Sequence, residues 1–179
     1  MEFYELLQQR RSIRHYDASR PTSPALIRRM LEAAALAPSW KNSQTARYTV
    51  VTSPELLQRI RLDALPAFNA ANCEGAGALI VTGFIRGRSG FDRDGTPTNE
   101  LGDSWGAYDL GLQNENLILR ARELGLDTLI MGIRDEALLR KMLNIDPEIV
   151  IVSVIAVGYR AQDADAPKRK DVDEIARFL

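Results

Sequence analysis

Apolar residues along this chain change their spacing several times, and each change predicts an element. Phe3, Leu6 and Leu7 fall on one face at helical spacing, so the chain opens with a short helix. Ile27, Met30, Leu31 and Ala34 repeat that spacing behind Ser23-Pro24, an N-cap followed by proline at the first helical position. Pro38 stops this second helix, and a polar loop, PSWKNSQ at 38–44, leads into a strand at Tyr48–Thr52. Ser53-Pro54 repeats the cap-and-proline signal and opens a third helix through Leu57 and Ile60. GALIVTGF at 77–84 reads as a buried strand.

The stretch from Ile85 to Asp103 has no periodicity and is rich in glycine and charge, which suits a lid, a binding loop or disorder. Asp103 or Ser104 then caps the longest helix, Trp105 to Leu124, closed by Gly125 in a left-handed turn. Its apolar residues do not form one stripe: Leu110, Leu117 and Leu124 lie on one side, Leu112 and Leu119 on another. A helix apolar over so much of its girth is buried on more than one side, and a subunit interface supplies the second. A strand at Thr128–Met131, a short helix at Asp135–Leu143 and a β-branched central strand at Ile149–Val157 follow. The last twenty residues are polar, anchored only by Val172, Ile175, Phe178 and Leu179, so the tail must pack on this subunit or another.

Composition narrows the function classes. The 179 residues suit one domain, residues 1–179, with 45% hydrophobic and 26% charged side chains. A net charge of −1 and an isoelectric point near 5.9 argue against a nucleic-acid or membrane-surface role. Cys73 and His15 each stand alone, so neither an intrachain disulfide nor the usual zinc site can form. Glu2 follows Met1 with no basic lead into an apolar run, and IVIVSVIAV at 149–157 is too short to span a bilayer. The expectation is a cytoplasmic protein.

Positive charge is nevertheless concentrated twice. RRSIR at 10–14 brings Arg10, Arg11 and Arg14 together with Ser12, and Lys168, Arg169 and Lys170 cluster in the tail. Arginine offers planar, bidentate donors that match phosphate oxygens, and a serine hydroxyl adds a neutral donor. Solvated charge is the alternative for each cluster taken singly. In PSWKNSQ, Ser39, Asn42 and Gln44 could wall a polar pocket for the edge of an aromatic heterocycle, or form an ordinary loop. Asp109 and Glu115 read as solvated or capping groups. Gly75-Ala-Gly77 lacks the third glycine of a dinucleotide fingerprint and precedes its strand, so it is excluded.

The order of these pieces resembles the nitroreductase family of FMN-dependent enzymes. The resemblance runs from RRSIR and APS at 37–39, with Asn42 and Gln44, through YDLGLQNENLILRARELGL at 108–126 and LIMG at 129–132. It continues in VGY at 157–159 and the basic KRK before an apolar tail. It implies an α+β fold, a mixed sheet flanked by helices, forming an intertwined homodimer with two FMN sites. Arg10, Ser12 and Arg11 would meet the FMN phosphate and ribityl chain, with Lys168 and Arg169 (or Lys170) closing from the tail. Arg14 would reach the pyrimidine edge of the ring, where positive charge stabilises the reduced, anionic flavin. Asn69 would bond the flavin edge, and Met131 and Gly132 would lie against the ring, glycine allowing close approach. Asn72 stands where some relatives carry lysine. Pro38, Ser39 and Asn42 would come from the other subunit.

The implied reaction carries hydride from NADH or NADPH to FMN and on to a nitroaromatic, quinone or similar small-molecule acceptor, in ping-pong order. No side chain need be a nucleophile or base. Reductive dehalogenation, flavin destruction and non-enzymatic anion binding are the alternatives. The chain is shorter than many family members, so the 85–103 loop, with Phe91 and Trp40 or Trp105, is expected to roof the pocket.

Overall fold

A computed structural model describes residues 2–179 of the chain. The opening helix α1 (Phe3–Gln9) buries only Leu6. Helix α2 (Pro24–Ala35) starts as its sequence dictates: the Ser23 hydroxyl accepts the Ala25 amide, and Ile27, Met30 and Ala34 face the core. Strand β1 (Ala46–Val51) follows the polar loop, and Ser53 caps α3 (Pro54–Arg59), which loosens into a π-turn at Ile60–Ala64.

A short helix that periodicity does not reveal, α4 (Ala67–Asn72), comes next, then β2 (Ala78–Ile85). Helix α5 (Ser104–Glu123), β3 (Asp127–Met131), α6 (Glu136–Leu143), β4 (Ile149–Gly158) and the one-turn α7 (Val172–Ile175) complete the chain.

The sheet order is β1-β2-β4-β3, with β4 inside as its β-branched run implies. All three strand pairings are antiparallel. The mixed character expected of the sheet is confined to one isolated parallel bridge, Ser12 with Thr128, on the outer edge of β3. Alternation along the strands makes two cores. Leu79, Val81, Leu129, Met131 and Val154 meet Ile60 and Leu139 on one face. Ile80, Ile155 and Val157 meet Ile27, Met30 and Leu117 of α2 and α5 on the other.

Asp103 stands at the N-cap of α5, as expected, but its side chain does not cap the helix; its carboxylate accepts the Gly87 amide at 2.6 Å and closes the base of the 85–103 loop instead. That loop is folded, with Phe91 bridged to Pro97, Ser89 buried, and Trp105 stacked on Trp40 at 4.6 Å between ring centroids. Helix α5 buries one flank within this chain, whereas Tyr108, Gly111 and Glu115 are exposed and Leu112 is half-buried. The tail is as unsupported as its composition implies: Val172, Ile175, Phe178 and Leu179 are 60 to 103% exposed.

Candidate functional site

The RRSIR segment leaves α1 and runs along the outer edge of β3. The Ile13 amide donates to the Thr128 carbonyl at 3.0 Å, and the Ile13 side chain is buried. Extended backbone alternates its side chains, so Ser12 and Arg14 point away from that core. The tail returns over them. Arg10, Arg11, Ser12 and Arg14 line a cleft of about 220 Å³ together with Asp165, Pro167 and Arg169. Arg10, Arg11 and Arg169 also border an adjoining hollow of about 490 Å³ beside Leu7.

No ion pair among the described residues engages Arg10, Arg11, Arg14 or Arg169. Arg11 donates to the Arg10 carbonyl at 2.7 Å and Arg14 to the Ser12 carbonyl at 3.2 Å, bonds that leave most of each guanidinium fork free. Four arginines and one acid, Asp165, line the cleft, a surplus of positive charge. That arrangement fits a multiply charged anion such as a phosphate monoester.

A buried ionic cluster underpins this edge. Asp127, at the start of β3, accepts Arg160 Nε and Nη2 at 2.8 and 2.6 Å. Arg122 of α5 approaches the same carboxylate at 3.4 Å and reaches the Gln9 side chain, next to Arg10, at 3.4 Å. The bond to Asp127 raises the pKa of Arg160 above its ordinary value despite partial burial.

At the far end of β3, α4 contributes. Asn69 is buried and donates to the Ile133 carbonyl at 2.9 Å, while Arg134 donates to the Gly132 carbonyl at 3.0 Å and to that of Ile151. Asn72 lies one helical turn from Asn69, half-buried. Met131 is buried, its side chain in the core, so within this chain it offers a ligand little surface. A Cβ built on Gly132 would meet nothing within 4 Å, so any demand for glycine there comes from outside this chain.

The polar loop lies elsewhere. It enters β1, the strand at the opposite edge of the sheet. Lys41, Asn42 and Gln44 all adopt left-handed backbone, with φ of 45°, 56° and 50°, which is costly outside glycine. Ser39 accepts the Gln44 amide at 3.0 Å. Asp109 is not solvated: it is buried on α5 and accepts the Trp40 amide at 3.0 Å and the Ser89 hydroxyl at 2.7 Å. Glu115 is exposed, as read from the sequence.

The structure therefore assembles two groups. Arg10, Arg11, Ser12, Arg14 and Arg169 form one cleft on the β3 edge, with Asn69, Asn72 and Gly132 on the segments beyond β3. Pro38, Ser39 and Asn42 form another group on the loop before β1. Lys168 and Lys170 do not line the cleft. Sequence reading missed Asp127, Arg134 and Arg160; a lone acid or arginine in a strand end carries no motif, and only tertiary pairing reveals it.

Comparison with known proteins is consistent end to end. The nitroreductase family model matches residues 7–159. An Archaeoglobus fulgidus protein named as an NADH dehydrogenase/NAD(P)H nitroreductase is 31% identical over 183 residues, covering 98% of this chain and 97% of its own. A nitroreductase family protein from Streptococcus pneumoniae superposes with a TM-score of 0.85 at 22% identity, covering 99% and 100% of the two chains. A nitroreductase from Exiguobacterium sibiricum, solved in complex with FMN, gives 0.82 at 24% identity, covering 100% and 98%. A family match over most of the chain, with the fold shared from end to end, places this protein in the nitroreductase family.

Proposed function

We propose that the protein acts as a homodimer with shared flavin sites, passing hydride from NADH or NADPH to a nitroaromatic, quinone or similar acceptor in ping-pong order. It is an NAD(P)H-dependent oxidoreductase with FMN as cofactor. FMN, when bound, supplies the two-electron chemistry, and the protein supplies position and electrostatics.

The observation that carries this reading is the set of four arginines, none of them in an ion pair among the described residues, lining one small cleft that holds a single acid, Asp165. Arg10, Arg11 and Arg169 would hold the phosphate, with Ser12 donating beside them. Arg14 would place positive charge toward the pyrimidine edge of the ring. Asn69 and the backbone at Gly132, next to the buried Met131, would border the ring. Among the described residues no helix is long and apolar enough to cross a membrane.

The two polar groups argue for two chains. Near one end of α5, Arg122 reaches Gln9, just before RRSIR, and near the other Asp109 holds the 38–44 loop. Thirteen residues of helix separate them, roughly 20 Å at 1.5 Å per residue. Across the sheet, β1 and β3 lie three strand spacings apart, about 14 Å. A two-fold partner would bring its own Ser39 and Asn42 to this chain's arginines and complete both sites at once. The exposed apolar residues of α1, α5 and the tail supply a surface for it.

The visible absorption spectrum of the purified protein tests the cofactor, and NAD(P)H oxidation with menadione or nitrofurazone tests the acceptor class. Bound flavin with turnover of either acceptor is expected. A colourless protein that takes up no FMN would overturn the reading; flavin without turnover would overturn the acceptor class alone.

A further inference from the structure

The loop from Trp40 to Thr45 holds three left-handed residues that no glycine relieves, and its tethers converge on one side chain. Trp40 donates its amide to Asp109 Oδ2 at 3.0 Å. The Ser89 hydroxyl donates to the same oxygen at 2.7 Å. Ser43 and Thr45 lie 2.7 and 3.2 Å from Ser89 Oγ, and with the Ser89 proton spent on Asp109, both must donate to it. The strained positions Lys41, Asn42 and Gln44 fall between the tethered ones. Asp109 itself is only 3% exposed, on the rigid α5.

From this arrangement we infer that Asp109, acting through Ser89, is a positioning residue that holds Ser39 and Asn42 in the geometry the second wall of the flavin site requires. Each left-handed residue outside glycine raises the free energy of the loop, and an untethered loop would relax to right-handed or extended backbone. Relaxation would turn the Asn42 side chain away and release the bond from the Gln44 amide to Ser39. A charged acceptor makes stronger hydrogen bonds than a neutral one, and burial strengthens them further. The inference rests on the shared-site reading, because it presumes that Ser39 and Asn42 meet flavin.

The test is a double-mutant cycle read as FMN dissociation constants of the refilled dimer, from quenching of flavin fluorescence. Asp109→Ala should weaken FMN binding about tenfold or more. Asn42→Ala should also weaken it, and the double variant should bind within about twofold of Asp109→Ala, since the two changes remove one structure. Arg10→Ala, in the other half of the site, should instead multiply with Asp109→Ala. Asp109→Asn keeps an oxygen where both donors aim but loses the charge, and should weaken binding less than Asp109→Ala does. Gln44→Gly, which removes the cost of a left-handed residue, should restore part of the affinity lost in Asp109→Ala; a fold-wide defect would show no such rescue. Should Asp109→Ala not fold, Ser89→Ala enters the same cycle with the same expectation. Multiplicative losses for Asp109→Ala and Asn42→Ala, with an effect of Asn42→Ala alone, would overturn the inference and leave the shared site standing. No effect of either Asn42→Ala or Ser39→Ala would overturn both.

Discussion

Ile13 is buried and its amide is bonded to Thr128, so its neighbours Ser12 and Arg14 face outward and the arginines gather on one surface. This clustering was legible in the sequence, because charge density and the single apolar residue within it lie side by side. Which tail cation joins them was not, since that depends on how a chain without periodicity turns back; Arg169 lines the cleft and Lys168 does not. Arg10→Ala and Arg169→Ala should therefore each raise the FMN dissociation constant about tenfold or more, the loss of a charge-assisted bond of roughly 1.5–3 kcal/mol. Lys168→Ala and Arg59→Ala, measured by ultrafiltration of released flavin, should change it little. Cys73 offers a second residue-scale test. Burial pushes its thiol from 9.0 up to about 11, against a smaller opposing pull from Arg61. A folded pKa above the unfolded one leaves the stability contribution intact below about pH 9 and removes it as pH rises toward 11. Alkylation by iodoacetamide at pH 8 should run roughly a hundredfold slower in the folded protein than after denaturation, in step with its smaller thiolate fraction.

Helix α5 connects the two candidate groups, and its polar residues matter more than its apolar pattern suggested. Its length and the Gly125 stop were readable from the sequence; the roles of Asp109 and Arg122 were not, because a buried acid or base is indistinguishable from a solvated one until its partner is known. Helix α4 escaped notice for a different reason: six residues give too few turns for a 3.6-residue period to show. The Asp127 cluster joins the ends of α5, β3 and β4, and Asp127→Ala would strand Arg160 without its carboxylate. Breaking a buried pair in this way should destabilise the fold by about 3–5 kcal/mol, visible as a lower urea midpoint, more than either Asp163→Ala or Glu123→Ala at exposed pairs. Deleting the tail from Asp171 leaves Lys168, Arg169 and Lys170 in place. Within one chain the deleted side chains are exposed, so their removal should cost nothing unless a partner covers them. Each side chain so covered contributes roughly 1.5–3 kcal/mol, and the shared-site account expects the truncated protein to dissociate and shed flavin together in sedimentation.

At the scale of the molecule, one sheet separates a cationic edge from a strained polar loop, and the proposed dimer would bring one chain's edge to the other chain's loop. The antiparallel sheet with helices on both faces follows from strands that alternate their burial and from the amphipathic α2, which with α5 covers one side. The proposed dimer rests on an unsupported tail and a helix apolar on several sides. Its direct test is subunit complementation. Chains carrying Arg10→Ala with Arg11→Ala have lost one half of the site, and chains carrying Ser39→Ala with Asn42→Ala the other. Alone, each should retain little FMN. Unfolded together in equal amounts and refolded, they should form mixed dimers in half the population. Each mixed dimer holds one site built wholly from unaltered halves, so about a quarter of all sites should bind FMN with the parent's affinity. Recovery near that fraction is the predicted result; a mixture that binds no better than its two components would contradict a site shared between chains.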